Sequence, residues 1–377
     1  MVDYTHYQFH PERRRLQADS LMPPLKLLKD WSKTSVGYLP RIAAGKLFIT
    51  FIDGHLEVYD EASGEFLWNF RLPNGYQPGL PNDGDLLISG ELLITRLDGE
   101  IFVLDIESGK LCDRQLVPYF DLESAILLGR RLIGVYVDED DDDEPIYCFA
   151  YDITQREFLW KQVIQRFPHS LTASASQIFL SDRRGHFTSL SIETGRQLWS
   201  ISVQEIGRYD DLDGTRRQGD VTGIPCLWED LVIVPVEGYH ILALEQTSGV
   251  LRWEQTVEMD DPRNLVCGPD GDLILVDAEV YVSMEASTGR ILTQKNIRSA
   301  LHPYGGPLLT RMDVAGNFLY FSTIHRGILV ALNRQSGEIP WSFKCAAAVP
   351  IRNAPVVLNH HLYLLDEEHN LYIFVEQ

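Results

Sequence analysis

Glu193-Thr194-Gly195-Arg196-Gln197-Leu198-Trp199 is the stretch that decides the fold, because versions of it recur through the 377-residue chain. Residues 63–68, 248–253 and 336–341 repeat its order of a hydroxyl residue, a glycine and, four positions after the glycine, a tryptophan. A self-similar unit that returns every few dozen residues is the signature of a repeat architecture. The sequence therefore predicts one body assembled from similar units.

Three further copies depart from this pattern. Asp113 and Thr293 stand where the tryptophan is expected, and Arg156 replaces the glycine before Trp160. Glycine suits a turn that needs a positive φ, and a large ring at a fixed place suits a seal between neighbouring units. We therefore interpret both positions as structural. The tryptophans assigned to the shared position are Trp31, Trp68, Trp160, Trp199, Trp253 and Trp341.

Each unit is predicted to contain four short antiparallel strands. In the first one, residues 47–51 form an apolar run, Asp53-Gly54 is a hairpin turn, and residues 56–59 alternate apolar and polar side chains. The same pair of strands can be found eight times along the chain. Four short strands in roughly 40–50 residues are typical of a β-propeller blade. The predicted fold is an all-β, eight-bladed β-propeller of four-stranded antiparallel blades.

The two ends of the chain are predicted to complete one blade together. The last unit stops before its outermost strand, whereas residues 26–33 form an outermost strand without a blade of its own. Joining them removes two open sheet edges. We expect the N-terminal strand to close the ring, with residues 1–25 as an N-terminal arm and residues 26–377 as a single propeller domain.

The amino-acid composition indicates which classes of partner and which cellular compartment to expect. The formal net charge of −21 disfavours nucleic acid and an anionic membrane surface, since both attract basic proteins. The five cysteines form no C-x-x-C pair, which indicates free thiols in a reducing compartment. Residues 1–7 show no apolar segment of a secretory signal. From these features we expect a cytoplasmic protein.

The Ser/Thr-Gly turn followed by tryptophan resembles the repeat of PQQ-like eight-bladed propellers, and the resemblance covers residues 26–377. That family includes quinoprotein alcohol dehydrogenases and an outer-membrane protein assembly lipoprotein. In the enzymes, the quinone lies under a disulfide of adjacent cysteines, with a calcium ion and a catalytic aspartate. This chain has no adjacent cysteines. The resemblance therefore implies the non-enzymatic branch without a cofactor, and the lipoprotein type would need a signal peptide and a lipidated cysteine.

Other sequence motifs predict no catalytic, cofactor-binding or metal residue. The acidic run 138–144 could ligate calcium through its oxygens, but it lacks the spacing of an EF-hand loop, and we interpret it as a solvated loop. His360-His361 is placed in a surface turn. A phosphate-binding loop, a zinc-binding H-E-x-x-H and a nucleophile elbow are all missing from the sequence.

Three functions are consistent with these features. The first is a non-enzymatic protein-interaction scaffold, whose partner is another protein or an acidic peptide. The second is a sensor that binds a small anionic ligand in the funnel of the propeller. The third is a quinone-dependent or sugar-acting enzyme. Fold alone does not choose among them, so the choice depends on site residues.

The candidate partner-binding face consists of the loops that join the second and third strands and of the connections between blades. These loops emerge on one face and collect arginine and histidine, which suit carboxylate and phosphate. We expect an acidic peptide or small anion to bind mainly through Arg183, Arg184, Arg326 and Arg352. The alternative is that each arginine of these polar loops pairs with a nearby acid. The full candidate set is Arg183, Arg184, His186, His302, His325, Arg326 and Arg352.

Overall fold

The computed structural model of the chain describes the following residues: 21–31, 36, 40–51, 53–72, 86–90, 92–97, 100–117, 125–137, 145–164, 168, 170–182, 185–204, 209–210, 216–217, 219–221, 223–237, 240–259, 265–268, 270–277, 279–304, 309–310, 312–324, 326–345, 350–351 and 354–377. Within these ranges, the chain forms eight sheets of four antiparallel strands. This arrangement confirms the predicted eight-bladed propeller. The acidic run 138–144 and residues 1–20 lie outside the described residues.

The blades follow one another in chain order, and each is hydrogen-bonded in the order first, second, third and fourth strand. The strands of blades 1 to 4 are β2 (Arg41–Ala43), β3 (Lys46–Thr50), β4 (His55–Asp60) and β5 (Phe66–Arg71); β6 (Leu87–Ser89), β7 (Leu92–Leu97), β8 (Glu100–Asp105) and β9 (Leu111–Leu116); β10 (Ile126–Leu128), β11 (Arg131–Val137), β12 (Ile146–Asp152) and β13 (Glu157–Ile164); and β14 (Ser170–Ala173), β15 (Gln177–Ser181), β16 (His186–Ser191) and β17 (Gln197–Ser202).

Blades 5 to 8 have the same plan, except that the fourth strand of blade 8 is the first strand of the chain. Their strands are β20 (Cys226–Trp228), β21 (Leu231–Val236), β22 (His240–Glu245) and β23 (Leu251–Thr256); β24 (Leu265–Cys267), β25 (Asp272–Val276), β26 (Val280–Glu285) and β27 (Ile291–Asn296); β28 (Asp313–Ala315), β29 (Phe318–Thr323), β30 (Ile328–Asn333) and β31 (Trp341–Lys344); and β32 (Val356–Leu358), β33 (His361–Leu365), β34 (Leu371–Glu376) and β1 (Leu25–Trp31).

Three short elements lie between blades. The connection from blade 4 to blade 5 carries a two-stranded hairpin, β18 (Tyr209–Asp210) with β19 (Arg216–Arg217). The connection from blade 6 to blade 7 carries the helix α1 (Arg298–Leu301) and a 3-10 turn (His302–Tyr304). The sequence analysis did not identify these elements, because each is too short to show a periodicity.

The N-terminal strand closes the ring as expected. β1 pairs antiparallel with β34, from Leu25 opposite Glu376 to Trp31 opposite Leu371. The preceding segment is also anchored, because Leu21 is fully buried and its carbonyl oxygen accepts a 2.7 Å hydrogen bond from the hydroxyl of Tyr320. Closure therefore depends on contacts between the two ends of the chain.

One assignment within this strand was wrong: Trp31 does not occupy the position of the other blade tryptophans. In blade 1, Trp68 pairs with Val58 of the third strand. The residue of β34 that is equivalent to Val58 is Ile373, and it pairs with Lys29 of β1. Trp31 lies two residues further along the strand. The reason is local, since β1 is not joined to β34 by a turn that could set its register.

Each junction between neighbouring blades has its own apolar core, and the described residues form eight such clusters. One of them joins Ile42 and Ile49 of blade 1 to Val356 and Leu371 of blade 8. Side chains alternate between the two faces of every strand, so each sheet contributes to two of these cores. The core is therefore distributed around the ring.

The recurring tryptophan and glycine meet across a junction. Trp199 of blade 4 lies on the turn of blade 5, and its indole N–H donates a 2.8 Å hydrogen bond to the carbonyl of Gln246. A Cβ added to Gly249 would lie 2.7 Å from Cε3 of this ring, and Gly249 has φ +72°. The glycine is therefore needed for its backbone conformation and for the space it leaves. Trp160 and Trp253 make equivalent contacts with the next blade.

Candidate functional site

The strand order divides the propeller ends into two faces. The hairpins between second and third strands and the connections between blades emerge on one side, here called the loop face. The Ser/Thr-Gly turns and the hairpins between first and second strands emerge on the other side, here called the turn face. The described candidate partner-binding residues, His186, His302 and Arg326, belong by topology to the loop face.

Three of the seven candidate side chains are described. His186 is exposed at the start of β16, and its Nδ1 lies 3.2 Å from Oδ2 of Asp182. His302 is exposed on the 3-10 turn, and Arg326 is exposed in the hairpin between β29 and β30. These residues belong to blade 4 and to the region of blade 7, and no contact joins the three described side chains. The remaining candidates, Arg183, Arg184, His325 and Arg352, lie outside the described residues.

Several described basic groups of the loop face pair with acids. Arg71 donates a 2.6 Å hydrogen bond to Asp53, which also contacts the ring of His55. Burial alone would raise the pKa of Asp53, but these two partners hold it below its usual value. Arg298 lies 3.0 Å from Glu279. For these residues of the loop face, the ion pairs agree with the alternative that the basic side chains of the polar loops pair with nearby acids.

A groove between blades 3 and 4 is the candidate site that the sequence analysis missed. It has a volume of about 410 Å³ and extends from the middle of the junction to Asp182 and His186 at the loop face. Blade 3 contributes the last residues of β13, and blade 4 contributes side chains of β15, β16 and β17. We call it the 3–4 groove. Its described lining is Gln162, Val163, Ile164, Pro168, Leu180, Ser181, Asp182, His186, Thr188, Leu190, Gln197 and Ser200.

The described part of the chain shows no metal site. No group of three His, Cys, Asp or Glu side chains in it is placed to hold a metal ion. Its five cysteines are free, with Cys112 exposed and the other four buried. None of its helices is long and apolar enough for a membrane span. His360 lies in the turn before β33, whereas His361, also expected in that turn, is the first residue of the strand.

The fold and its repeat define the class of PQQ-like eight-bladed propellers. The sequence pattern of the family described as "Outer membrane protein assembly factor BamB" matches residues 25–132 and 147–343. The chain belongs to this family. "Outer membrane protein assembly factor BamB" of Burkholderia pseudomallei (strain K96243) is 24% identical over 373 residues, which cover 93% of this chain and 89% of that protein.

Solved structures support the same fold. The crystal structure of BamB from Moraxella catarrhalis has a TM-score of 0.61 and 15% identity, and the match covers 93% of this chain and 99% of that chain. Quinohemoprotein alcohol dehydrogenase from Comamonas testosteroni has a TM-score of 0.65 and 11% identity, with 98% of this chain and 79% of that chain covered. At these identities the likenesses show the fold alone.

The expected cytoplasmic location was wrong. The matched family and the relative that covers most of this chain are both named for the assembly of outer membrane proteins. Net charge and unpaired thiols do not distinguish compartments in a protein of this size, so the composition supplied no firm basis for that expectation.

Proposed function

We propose that this chain is a non-enzymatic scaffold that binds protein partners during the assembly of outer membrane proteins. The observation that carries the proposal is the 24% identity to outer membrane protein assembly factor BamB, which extends over nearly the whole of both chains. A shared repeat could arise from fold alone, but a match of this length includes the loops as well as the blades. A propeller suits this role, because its rigid ring presents many loops on one face.

The loop face is the proposed contact surface, with an acidic segment of the partner against Arg183, Arg184, Arg326 and Arg352. Arg326 supports this proposal, because it is exposed and donates no hydrogen bond to any residue that the structure describes. His302 is also exposed on this face and belongs to the same region of the ring. Arginine at such a position can hold a carboxylate with two parallel hydrogen bonds.

Site-specific photo-cross-linking in the native organism tests the proposal. A photoreactive amino acid is placed at Arg326 or His302, and a matched control is placed at Arg290, which is exposed on the turn face beside Glu285. We expect both loop-face positions to cross-link a protein of the outer membrane assembly machinery, with little product from Arg290. Equal products from the two faces, or no protein product at either loop-face position, would contradict the proposal.

No specific contact among the described residues favours a function as a small-anion sensor or as a quinone enzyme. The described candidates for anion binding are spread over blade 4 and the region of blade 7, so they do not form a single small pocket. The similarity to a dehydrogenase is a similarity of fold at 11% identity. The protein-scaffold proposal therefore takes precedence.

A further inference from the structure

Thr188 lies in the wall of the 3–4 groove. It lies in the middle of β16, on the face of blade 4 that meets blade 3, opposite Leu180 and Ser200. In six other blades, the equivalent position carries an apolar or aromatic side chain, which is larger than threonine in blades 2, 3, 5 and 8 and is a valine of the same size in blades 6 and 7, and in blade 1 it carries Glu57. The six residues are Phe102, Phe149, Leu242, Val282, Val330 and Tyr372.

Thr188 presents a hydroxyl where six other blades present an apolar or aromatic side chain. Thr188 Oγ1 lies 2.8 Å from Ser200 Oγ, so the two hydroxyls form a cross-strand pair. Trp160 closes the junction near the turn face, where its ring lies against Gly195. The opening on the other side has a volume of about 410 Å³. A volume of this size falls in the range of ligand sites.

The lining has neutral hydrogen-bonding groups beside aliphatic walls. Its ionisable described side chains are Asp182 and His186, which pair with each other at 3.2 Å. Leu180, Leu190 and Ile164 supply the apolar surface. The remaining polar lining groups are the amides of Gln162 and Gln197 and the hydroxyls of Ser181, Thr188 and Ser200.

This chemistry matches an uncharged peptide better than an ion. Side-chain amides and hydroxyls both donate and accept hydrogen bonds, as peptide groups do, and away from the Asp182–His186 pair at the loop-face end the described wall carries no charge that would balance an anion or a cation. Short aliphatic side chains would occupy the space beside Leu180 and Leu190. The length of the groove along β16 suits a segment of a few residues in extended conformation.

We propose that the 3–4 groove binds a short uncharged peptide segment of a protein partner, a site distinct from the arginine-rich part of the loop face. This inference rests on the proposed scaffold function and assigns it a second contact. The partner segment is identified by its chemistry: aliphatic and hydroxyl or amide side chains without charge. Thr188 lies in the described wall of this site, so a larger side chain at its position should occupy the groove.

The test uses the full chain and a pool of capped pentapeptides built from Ala, Val, Leu, Ser, Thr, Asn and Gln. Saturation-transfer NMR selects the peptides that bind, and calorimetry gives their Kd values. Thr188→Leu restores the side-chain size found at the equivalent position of blade 5 and should weaken binding by about tenfold or more. Ser200→Leu tests the groove independently if Thr188→Leu folds poorly.

Ser342→Leu is the matched control, because Ser342 pairs with Val330 in blade 7 as Ser200 pairs with Thr188 in blade 4. We expect it to leave the Kd unchanged. Equal binding by the unchanged chain and both groove variants, or no binding from the pool at all, would overturn the inference. The photo-cross-link at Arg326 is read separately: if it persists, only the groove assignment falls, and if it also disappears, the scaffold function falls.

Discussion

At the junction of blades 2 and 3, a carboxylate and a guanidinium take the place of the tryptophan and glycine that meet at other junctions. Arg156 has φ +58° where the repeat has glycine, and its Nε donates a 2.9 Å hydrogen bond to Oδ2 of Asp113. Gln115 donates to the carbonyl of Ile153, as the indole N–H does elsewhere. The replacement of tryptophan by Asp113 and the replacement of glycine by Arg156 therefore compensate each other, because the two new side chains form an ion pair.

A double-mutant cycle tests this compensation. Arg156→Gly alone should raise the free energy of unfolding or leave it nearly unchanged, because relief of the left-handed conformation, about 1–2 kcal/mol, offsets the loss of a largely exposed ion pair that contributes only ~0.2–1 kcal/mol. Asp113→Trp alone should destabilise, because the ring would meet the Arg156 side chain. The double variant should recover much of that loss in urea unfolding. Strictly additive effects would show that the two positions are independent.

The same pair predicts a dependence of stability on pH. Burial alone would raise the pKa of Asp113, but hydrogen bonds from Gln115 and the Arg114 N–H and the charge of Arg156 hold it below its usual value. A lowered folded-state pKa stabilises the protein above the unfolded pKa of about 3.9, and this contribution is lost as pH falls through the folded value. The stability difference from Asp113→Asn should therefore be constant near neutrality and shrink below about pH 4. A difference that grows on acidification would contradict this assignment.

A comparison of two glycines with similar positive φ angles distinguishes the cost of backbone strain from the cost of steric crowding by a neighbouring side chain. Gly129 has φ +61° and open space around its Cα, whereas Gly249 has φ +72° and the Trp199 ring above it. Gly129→Ala should cost about 1–2 kcal/mol of unfolding free energy from the left-handed conformation alone. Gly249→Ala should cost clearly more, because the ring must move and its junction loosens. Similar losses in chemical denaturation would argue against a role for the contact.

At the scale of the element, β1 determines whether the ring is closed. A chain that lacks residues 1–35 leaves the edge of β34 unpaired and removes Leu21 and Leu25 from the junction of blades 7 and 8. Loss of buried large side chains costs ~3–5 kcal/mol each in well-packed sites. Thermal unfolding should shift downward by many degrees, and a chain that lacks only residues 1–20 is the matched control. A melting temperature within a degree or two of the full chain would show that β1 does not close the ring.

The strand pattern was largely predictable from the sequence, because alternation and turn residues are local signals. The register of β1 was not, since the partner strand lies at the other end of the chain. Trp31 illustrates the difference: it looks like a blade tryptophan in sequence, but it pairs two positions away from that place. The 3–4 groove also escaped the sequence analysis, although alignment of the eight third strands would have drawn attention to Thr188.

At the scale of the whole molecule, the proposed scaffold function predicts no quinone-dependent activity. The quinohemoprotein alcohol dehydrogenase from Comamonas testosteroni has the same fold, but this chain lacks the adjacent cysteines that the family resemblance associates with the cofactor. The purified protein, incubated with PQQ and calcium and assayed for dye reduction with simple alcohols and sugars, should match a heat-treated control. Turnover well above that control would contradict this prediction and would show that the protein is a quinone-dependent enzyme.

The candidate site was only partly predictable at this scale. Topology places His186, His302 and Arg326 on the same face, as the strand rule predicts, but it separates His186 in blade 4 from the other two in the region of blade 7. Asp53 and Glu279 pair with loop-face bases, and such pairs depend on side-chain positions that spacing in the sequence does not report. The role of the arginine-rich candidates remains a prediction for the cross-linking experiment.

The sequence by itself determined the number of blades, the order of their strands and the turns between third and fourth strands, because hydrophobic alternation and glycine turns act over a few residues. Only the tertiary structure decided which residues meet across a junction. Arg156 and Asp113, 43 positions apart, form one ion pair, and the 3–4 groove is lined by side chains of two neighbouring blades. Packing between blades is a property of neighbours in space, and no single strand contains that information.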